Sequence, residues 1–261
     1  MNRHLNILAI ETSTSAGSVA VVRASDLKVL ALNEWVRGRS HAEVATPALA
    51  DAIAIAGGLS ELGALAVGVG PGSFTGIRVG LNSAKTAAWN LGLPVLGFSS
   101  TAILLEGVKA SGLIGGLTGG LSAGAGGDKN TLVAAVLNAQ MGMVFCSFFD
   151  EEPRALSPDA FAEELVARAK KSGQSSVALV GDGTLLVDEL VEARLKTAGL
   201  KSKKLDASLD HPHAATLGRM AASELGPGFA TETREALVRK YPWQSVQPLY
   251  LRGSGAEEKR G

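Results

Sequence analysis

The stretch VGVGPGSFTGIRVGLNSAKTAAWNL, Val67 to Leu91, constrains the fold more than any other part of the chain. Leu65 to Val69 is short, apolar and bounded by glycine, which predicts a strand buried on both faces. Gly70-Pro71-Gly72 breaks the chain, and Ser73 is placed to cap a helix. Within that helix Ile77, Gly80, Leu81, Ala84, Ala87, Ala88 and Leu91 recur at helical spacing and make one apolar stripe. Gly92 and Pro94 end it. A glycine-rich turn from strand to helix leaves N–H groups at a positive helix end, a geometry that holds anions, so Gly70, Gly72 and Ser73 are candidate ligands. The same glycines equally serve a tight turn that lets helix and sheet approach closely, and glycine-rich loops are weak signals of binding by themselves.

Composition narrows the function. Among 261 residues, 25 Lys and Arg balance 25 Asp and Glu, which argues against a protein that grips nucleic acid by a basic face of its own. Cys146 is the single cysteine, so neither a disulfide within the chain nor a multi-cysteine metal site can form. Its setting, MVFCSFF, reads as a buried thiol rather than a nucleophile. The histidines His4, His41, His211 and His213 include no i, i+4 pair that would place two metal ligands on one helix face. His211-Pro212-His213 reads as a polar loop entry to the last helix, and no G-x-S-x-G nucleophile elbow occurs. No catalytic residue, metal site or cofactor is therefore expected. The start MNRHLNILAIETS turns polar too early for a signal peptide, and no stretch approaches the length of a membrane span. The expectation is a cytoplasmic protein without a membrane association.

Taken in order, Leu5 to Ile10, Ser18 to Arg23 and Val29 to Arg37 read as an antiparallel meander. Ser40 to Ala56 is helical, closed by Gly57-Gly58. Pro94 to Phe98 is a short strand, followed by a helix over Ala102 to Lys109. Gly112 to Gly127, GLIGGLTGGLSAGAGG, is too rich in glycine to repay its ordering and reads as a mobile connector. Thr131 to Leu137 and Met143 to Phe149 form a second hairpin. Ala160 to Lys171 is an amphipathic helix, Val177 to Val180 a buried strand, Leu185 to Ala198 a helix and Ala214 to Leu225 the last helix. Strands first and helices after, twice over, predict a duplicated α/β fold. The expected division is a subdomain over 1–110, the connector over 111–130 and a second subdomain over 131–261, with the 214–225 helix free to pack back on the first.

Two acidic residues stand at strand ends, where α/β proteins place functional groups. Glu11 opens the turn Glu11-Thr12-Ser13, which joins Gly70, Gly72 and Ser73 as the candidate anion or nucleotide loop. A buried carboxylate accepting loop N–H bonds is the alternative for Glu11. Asp182, between two glycines, suits a ligand turn or a plain tight turn.

The segments ILAIETST, SHAEVATPAL, GVGPGSFTGIRVGLNSAKTAAWNLGLPVLGFSSTAIL, VGDG and PLYLR together resemble the TsaB family, also called YeaZ. The match runs in order over most of the chain, and the GPGSFTGIRVG segment followed by PVLGFSS is specific. The resemblance implies a duplicated actin-like ATPase fold (ASKHA, RNase H-like) in two subdomains. It implies a non-catalytic subunit of the bacterial machinery that makes threonylcarbamoyladenosine in tRNA. Its partners would be a TsaD-like catalytic subunit and a TsaE-like ATPase, with tRNA met only through the complex and a second copy as partner when alone. The related TsaD subunit carries a histidine pair for its metal; the matching positions here are Ser100 and Leu104, which cannot bind it. Aspartates of the superfamily's phosphate hairpins are replaced by Glu11 and by Asn138, and Asn138 with Gln140 departs from the family pattern at the second hairpin. A small-molecule kinase of the same fold and a glycoprotease-like metallopeptidase are the rival functions; the first lacks those aspartates, the second paired histidines.

The resemblance also places the partner surface on the first two helices. In Ser40 to Ala56 one stripe, Ala45, Leu49, Ala52, Ile53 and Ala56, suits the chain's own sheet. Val44, Ala48 and Ile55 then form a second apolar face, and Gly80, Ala84, Ala87 and Ala88 permit close helix approach. These seven residues are the expected partner interface, with an ordinary buried helix as the alternative.

Overall fold

In a computed structural model of the chain, residues 5–36, 40–113 and 130–251 are described. The first hairpin and its third strand are β1 (Asn6–Glu11), β2 (Gly17–Arg23) and β3 (Val29–Trp35). Then follow α1 (His41–Ile55), β4 (Leu62–Gly68), α2 (Phe74–Leu91), β5 (Val95–Phe98) and α3 (Ser100–Ala110). After the residues not described come β6 (Thr131–Asn138), β7 (Val144–Ser147), β8 (Arg154–Leu156), α4 (Pro158–Lys171), β9 (Ser176–Val180), α5 (Thr184–Ala198) and β10 (Lys201–Lys203). The chain finishes with α6 (Ala214–Leu225) and α7 (Arg234–Lys240).

These strands make two five-stranded sheets, β3-β2-β1-β4-β5 and β8-β7-β6-β9-β10. Within each, the first strand pairs antiparallel with the second and parallel with the fourth. The second half thus repeats the first strand for strand, which is the duplicated actin-like topology. Among the described residues the chain divides into two compact units. One runs to Ile103 and takes up His213–Tyr250; the other runs from Leu104 to Pro212 and takes up Leu251.

The first sheet is buried on both faces, as the near-continuous apolar runs of β1 and β4 require. Alternation along β1 sends Leu8 and Ile10 to one face, where they meet Ala45, Ala52, Ile77, Leu81, Ala84 and Ala88 of α1 and α2. Ile7 and Ala9 go to the other face and meet Ala214, Leu217, Ala221 and Leu225 of α6. In the second unit Val136, Val144 and Cys146 pack with Phe161 and Leu165 of α4 and Val187 and Val191 of α5. Its opposite face joins Val133, Ala135 and Leu137 to Leu104, Leu105 and Val108 of α3.

Three short elements were not expected. β8 and β10 are three-residue edge strands, largely exposed, with too few residues to show a period. α7 is a seven-residue helix capped by Thr233, whose side chain accepts from the Ala236 N–H. Of the connector expected over Gly112 to Gly127, residues 114–127 lie outside the described residues, and so does His4.

Candidate functional site

At the end of β1 the chain folds its own carboxylate inward. Glu11 is fully buried, and its Oε1 accepts the Ser13 N–H at 2.6 Å. Its Oε2 has no hydrogen-bond partner and occupies the place where a side chain on Gly68 would be, 1.7 Å from an ideal Cβ. Burial pushes the Glu11 carboxyl up to about 7, against the opposing pull of Ser13, Thr12 and the charge of His213.

The glycine-rich turn closes over this strand end. Ser73 caps α2, its side chain accepting from Gly76 N–H, while its own N–H donates to the Ser13 carbonyl at 2.6 Å. Thr12 Oγ1 donates to the Gly76 carbonyl at 2.7 Å. A Cβ on Gly72 would lie 2.1 Å from the Ser13 carbonyl oxygen, and one on Gly76 2.0 Å from that of Thr12. Gly70 adopts φ +99°, and its carbonyl accepts the Ser100 N–H at 2.8 Å. All six residues of the candidate anion loop are therefore brought together. Their amides at Ser13 and Ser73, however, are taken up by acceptors of the chain itself, and the glycines make room for carbonyls. The glycines let the start of α2 and the turn after β1 approach closely.

The second hairpin has a parallel clamp. The Asp182 carboxylate accepts the Asn138 N–H at 3.0 Å, and Asp210 accepts the Gly181 N–H at 3.1 Å. Burial raises the Asp210 carboxyl above the usual carboxylate range. Asp182 thus acts here as a turn fastener between β6 and β9. Ser100 and Leu104 are buried, and among the described residues no group of three His, Cys, Asp or Glu side chains could hold a metal ion. Cys146 is buried, and burial pushes its thiol up to about 11.

The expected partner residues divide. Each helical residue turns about 100°, so Ala48 lies next to the arc of Ala45, Ala52 and Ala56, about 40° from Ala52, and all four are buried in the core of the first unit. This corrects the assignment of Ala48 to a second face. Gly80, Ala84 and Ala88 also point inward. Val44 and Ala87 are half-buried, and Ile55 is exposed at 67%. Two features went unseen in the sequence. Trp89 stands 68% exposed on α2. Near the start of α2 the Arg78 guanidinium lies over the Phe74 ring at 3.8 Å and donates through Nε to Tyr250 Oη at 3.1 Å. The Phe74 and Tyr250 rings are 5.0 Å apart. Arg78 and Trp89 stand 11 residues apart, which puts them on one side of α2.

The family model TsaD, tRNA N6-adenosine threonylcarbamoyltransferase, matches residues 36–260. Relatives named TsaB and a solved structure named YeaZ match as well. The chain belongs to this family, in its TsaB (YeaZ) branch. A TsaB protein of Escherichia coli K12, a tRNA threonylcarbamoyladenosine biosynthesis protein, is 32% identical over 153 residues, covering 58% of each chain. An uncharacterized protein of Mycobacterium bovis is 45% identical over 98 residues, or 36% of this chain and 45% of that one. The YeaZ structure from Pseudomonas aeruginosa aligns at a TM-score of 0.63 and 25% identity, covering 95% of this chain and all of that one. The chain spans about half the length of these two curated relatives. Among the described residues no helix is long and apolar enough to cross a membrane.

Proposed function

We propose that this chain is a TsaB-like, non-catalytic subunit that binds a TsaD-type catalytic subunit. In that complex it supports transfer of a threonylcarbamoyl group to adenosine of tRNA. The observation that carries this reading is the closed first hairpin. Phosphate loops work through free N–H groups and backbone that a ligand can approach; here Ser13 N–H meets Glu11, Ser73 N–H meets Ser13, and Gly72 and Gly76 are filled by carbonyls. Nucleotide, carbamoyl donor and tRNA then fall to the partners, a TsaE-like ATPase among them, and the chain needs no cofactor or metal of its own. Its place of work in this reading is the cytoplasm.

Docking is assigned to the outer faces of α1 and α2, which are neighbours in the first unit. With Ala48, Gly80, Ala84 and Ala88 facing inward, Val44, Ile55 and Ala87 remain from the expected set, joined by Trp89 and Arg78. Trp and Arg are the side chains that most often dominate binding energy at protein interfaces. α1 carries exposed Glu43 and Asp51, and α2 carries the cations Arg78 and Lys85, a mixed pattern that suits a protein surface better than a polyphosphate chain.

The test is reconstitution with the TsaD-type subunit of the same organism. The two chains are expected to co-elute in size exclusion, and the chain alone to turn over ATP at background rate and to modify no tRNA. Separate elution, or nucleotide turnover by the chain alone, overturns the reading. A second copy bound through the same helices would appear as a dimer that the catalytic subunit dissociates.

A further inference from the structure

The β5 edge of the first sheet is only partly covered. β4 and β5 run parallel, with Leu65 opposite Val95 and Val67 opposite Gly97. In such a ladder alternate residues of a strand bond to the neighbour, and those between face away from it. The Leu65 and Val69 amides donate to the carbonyls of Pro94 and Phe98, so Val95 and Gly97 turn their backbone groups to the open side. There the Val95 N–H donates to the Tyr241 carbonyl at 3.0 Å. The Val95 carbonyl and both backbone groups of exposed Gly97 have no hydrogen-bond partner among the described residues.

The segment after α7 passes this edge without pairing along it. It is tied at Tyr241 and again at Leu249, whose N–H donates to the Val69 carbonyl at 2.8 Å. Between the ties, residues 245–247 and the strand line an open cleft of about 330 Å³, within the size range of ligand pockets. Its apolar wall includes Val69, Leu96, Phe98 and Val246, and its polar wall Glu224 and Tyr241. Tyr241 Oη donates to Glu224 Oε1 at 3.4 Å. The cation of this neighbourhood, Lys240, lies over the Tyr241 ring at 5.1 Å. Among the described residues no Lys or Arg comes within ion-pair distance of Glu224, and Lys240 attracts it only from farther off.

We propose that this edge binds an extended basic peptide segment. One residue of the segment pairs its N–H and C=O with Gly97, and a neighbouring Lys or Arg side chain reaches Glu224. Strand addition draws affinity from backbone bonds and selectivity from the side-chain pocket beside them. An acidic side chain at the same place would set two carboxylates together, with Lys240 beyond ion-pair distance of Glu224 and turned to the Tyr241 ring. The site is separate from the outer faces of α1 and α2, so it stands whether or not those faces dock a catalytic subunit.

The probe is the peptide acetyl-Val-Thr-Lys-Val-Thr-amide, titrated into the full chain labelled with nitrogen-15. The Gly97 amide resonance is expected to shift, and its hydrogen exchange to slow by at least about tenfold at saturation. The same peptide with Glu in place of Lys is expected to bind at least about tenfold more weakly. Glu224→Lys, a change at an exposed position, is expected to invert that preference. A Gly97 amide that stays unmoved at millimolar peptide overturns the proposal, and so does equal binding of the two peptides.

Discussion

Thr12 and Gly76 are locked face to face: the Thr12 hydroxyl donates to the Gly76 carbonyl at 2.7 Å, and the Thr12 carbonyl occupies the space of a Gly76 side chain. Helix propensity alone would make Gly76→Ala stabilising by about 1 kcal/mol. The backbone oxygen 2.0 Å from the new Cβ reverses the sign, since overpacking costs about 1–3 kcal/mol and backbone yields less than side chains. A net loss of about 2 kcal/mol is expected in urea unfolding. Asn82→Ala, exposed on the same helix, is expected to gain about 0.5 kcal/mol. A stabilised Gly76→Ala would show that the closure is loose.

Glu11 gives stability a pH dependence of known sign. Its carboxyl stands at about 7 in the fold against 4.5 when free, worth about 3 kcal/mol. Below pH 4.5 both folded and unfolded chains hold the proton and stability is at its full value. As pH rises the unfolded chain ionises first, so stability falls until the folded carboxyl also ionises near pH 7. Between pH 4 and pH 8, Glu11→Gln is expected to gain about 3 kcal/mol relative to wild type. A difference that stays flat across this window removes the argument.

Ser18 fastens the late helix to the first hairpin. Its Oγ accepts the Ala214 N–H at 2.8 Å across 196 residues of sequence, and both residues are buried. Ser18→Ala leaves a helix-start N–H unsatisfied, at a cost of about 1–3 kcal/mol. The denaturant midpoint is expected to fall with an unchanged slope.

For the docking face, Trp89→Ala and Arg78→Ala are each expected to weaken binding to the catalytic subunit by about tenfold or more, with the thermal midpoint unmoved because both side chains are exposed. Arg78→Lys keeps the charge but loses the planar stack on Phe74, and is expected to behave like the alanine variant. Calorimetric titration of the partner measures all three, and wild-type affinity throughout would move docking off this face.

The strand, glycine turn and helix over residues 65–91 were legible because each obeys a local rule: an apolar run between glycines, a Ser cap, a helical stripe. The doubling of the fold was legible for the same reason, each half spelling strands before helices. The inward face of α1 was not, because alanine all round the helix gives little contrast between its sides. That left Ala48 on the wrong face. Nor could sequence join Arg78 to Tyr250, 172 residues apart, or show that the Glu11 carboxylate turns in to accept the Ser13 amide. A carboxylate at a strand end reads the same whether it awaits a ligand or replaces one.

Cys146 lies on β7, one strand in from the edge of the second sheet, with β6 on one side of its strand and β8 on the other. Its thiol is held near 11 by burial, so the reactive thiolate forms only when the sheet opens. The chain therefore contains its own clock. The rate at which an alkylating reagent marks this sulfur counts the openings of one unit and ignores the other.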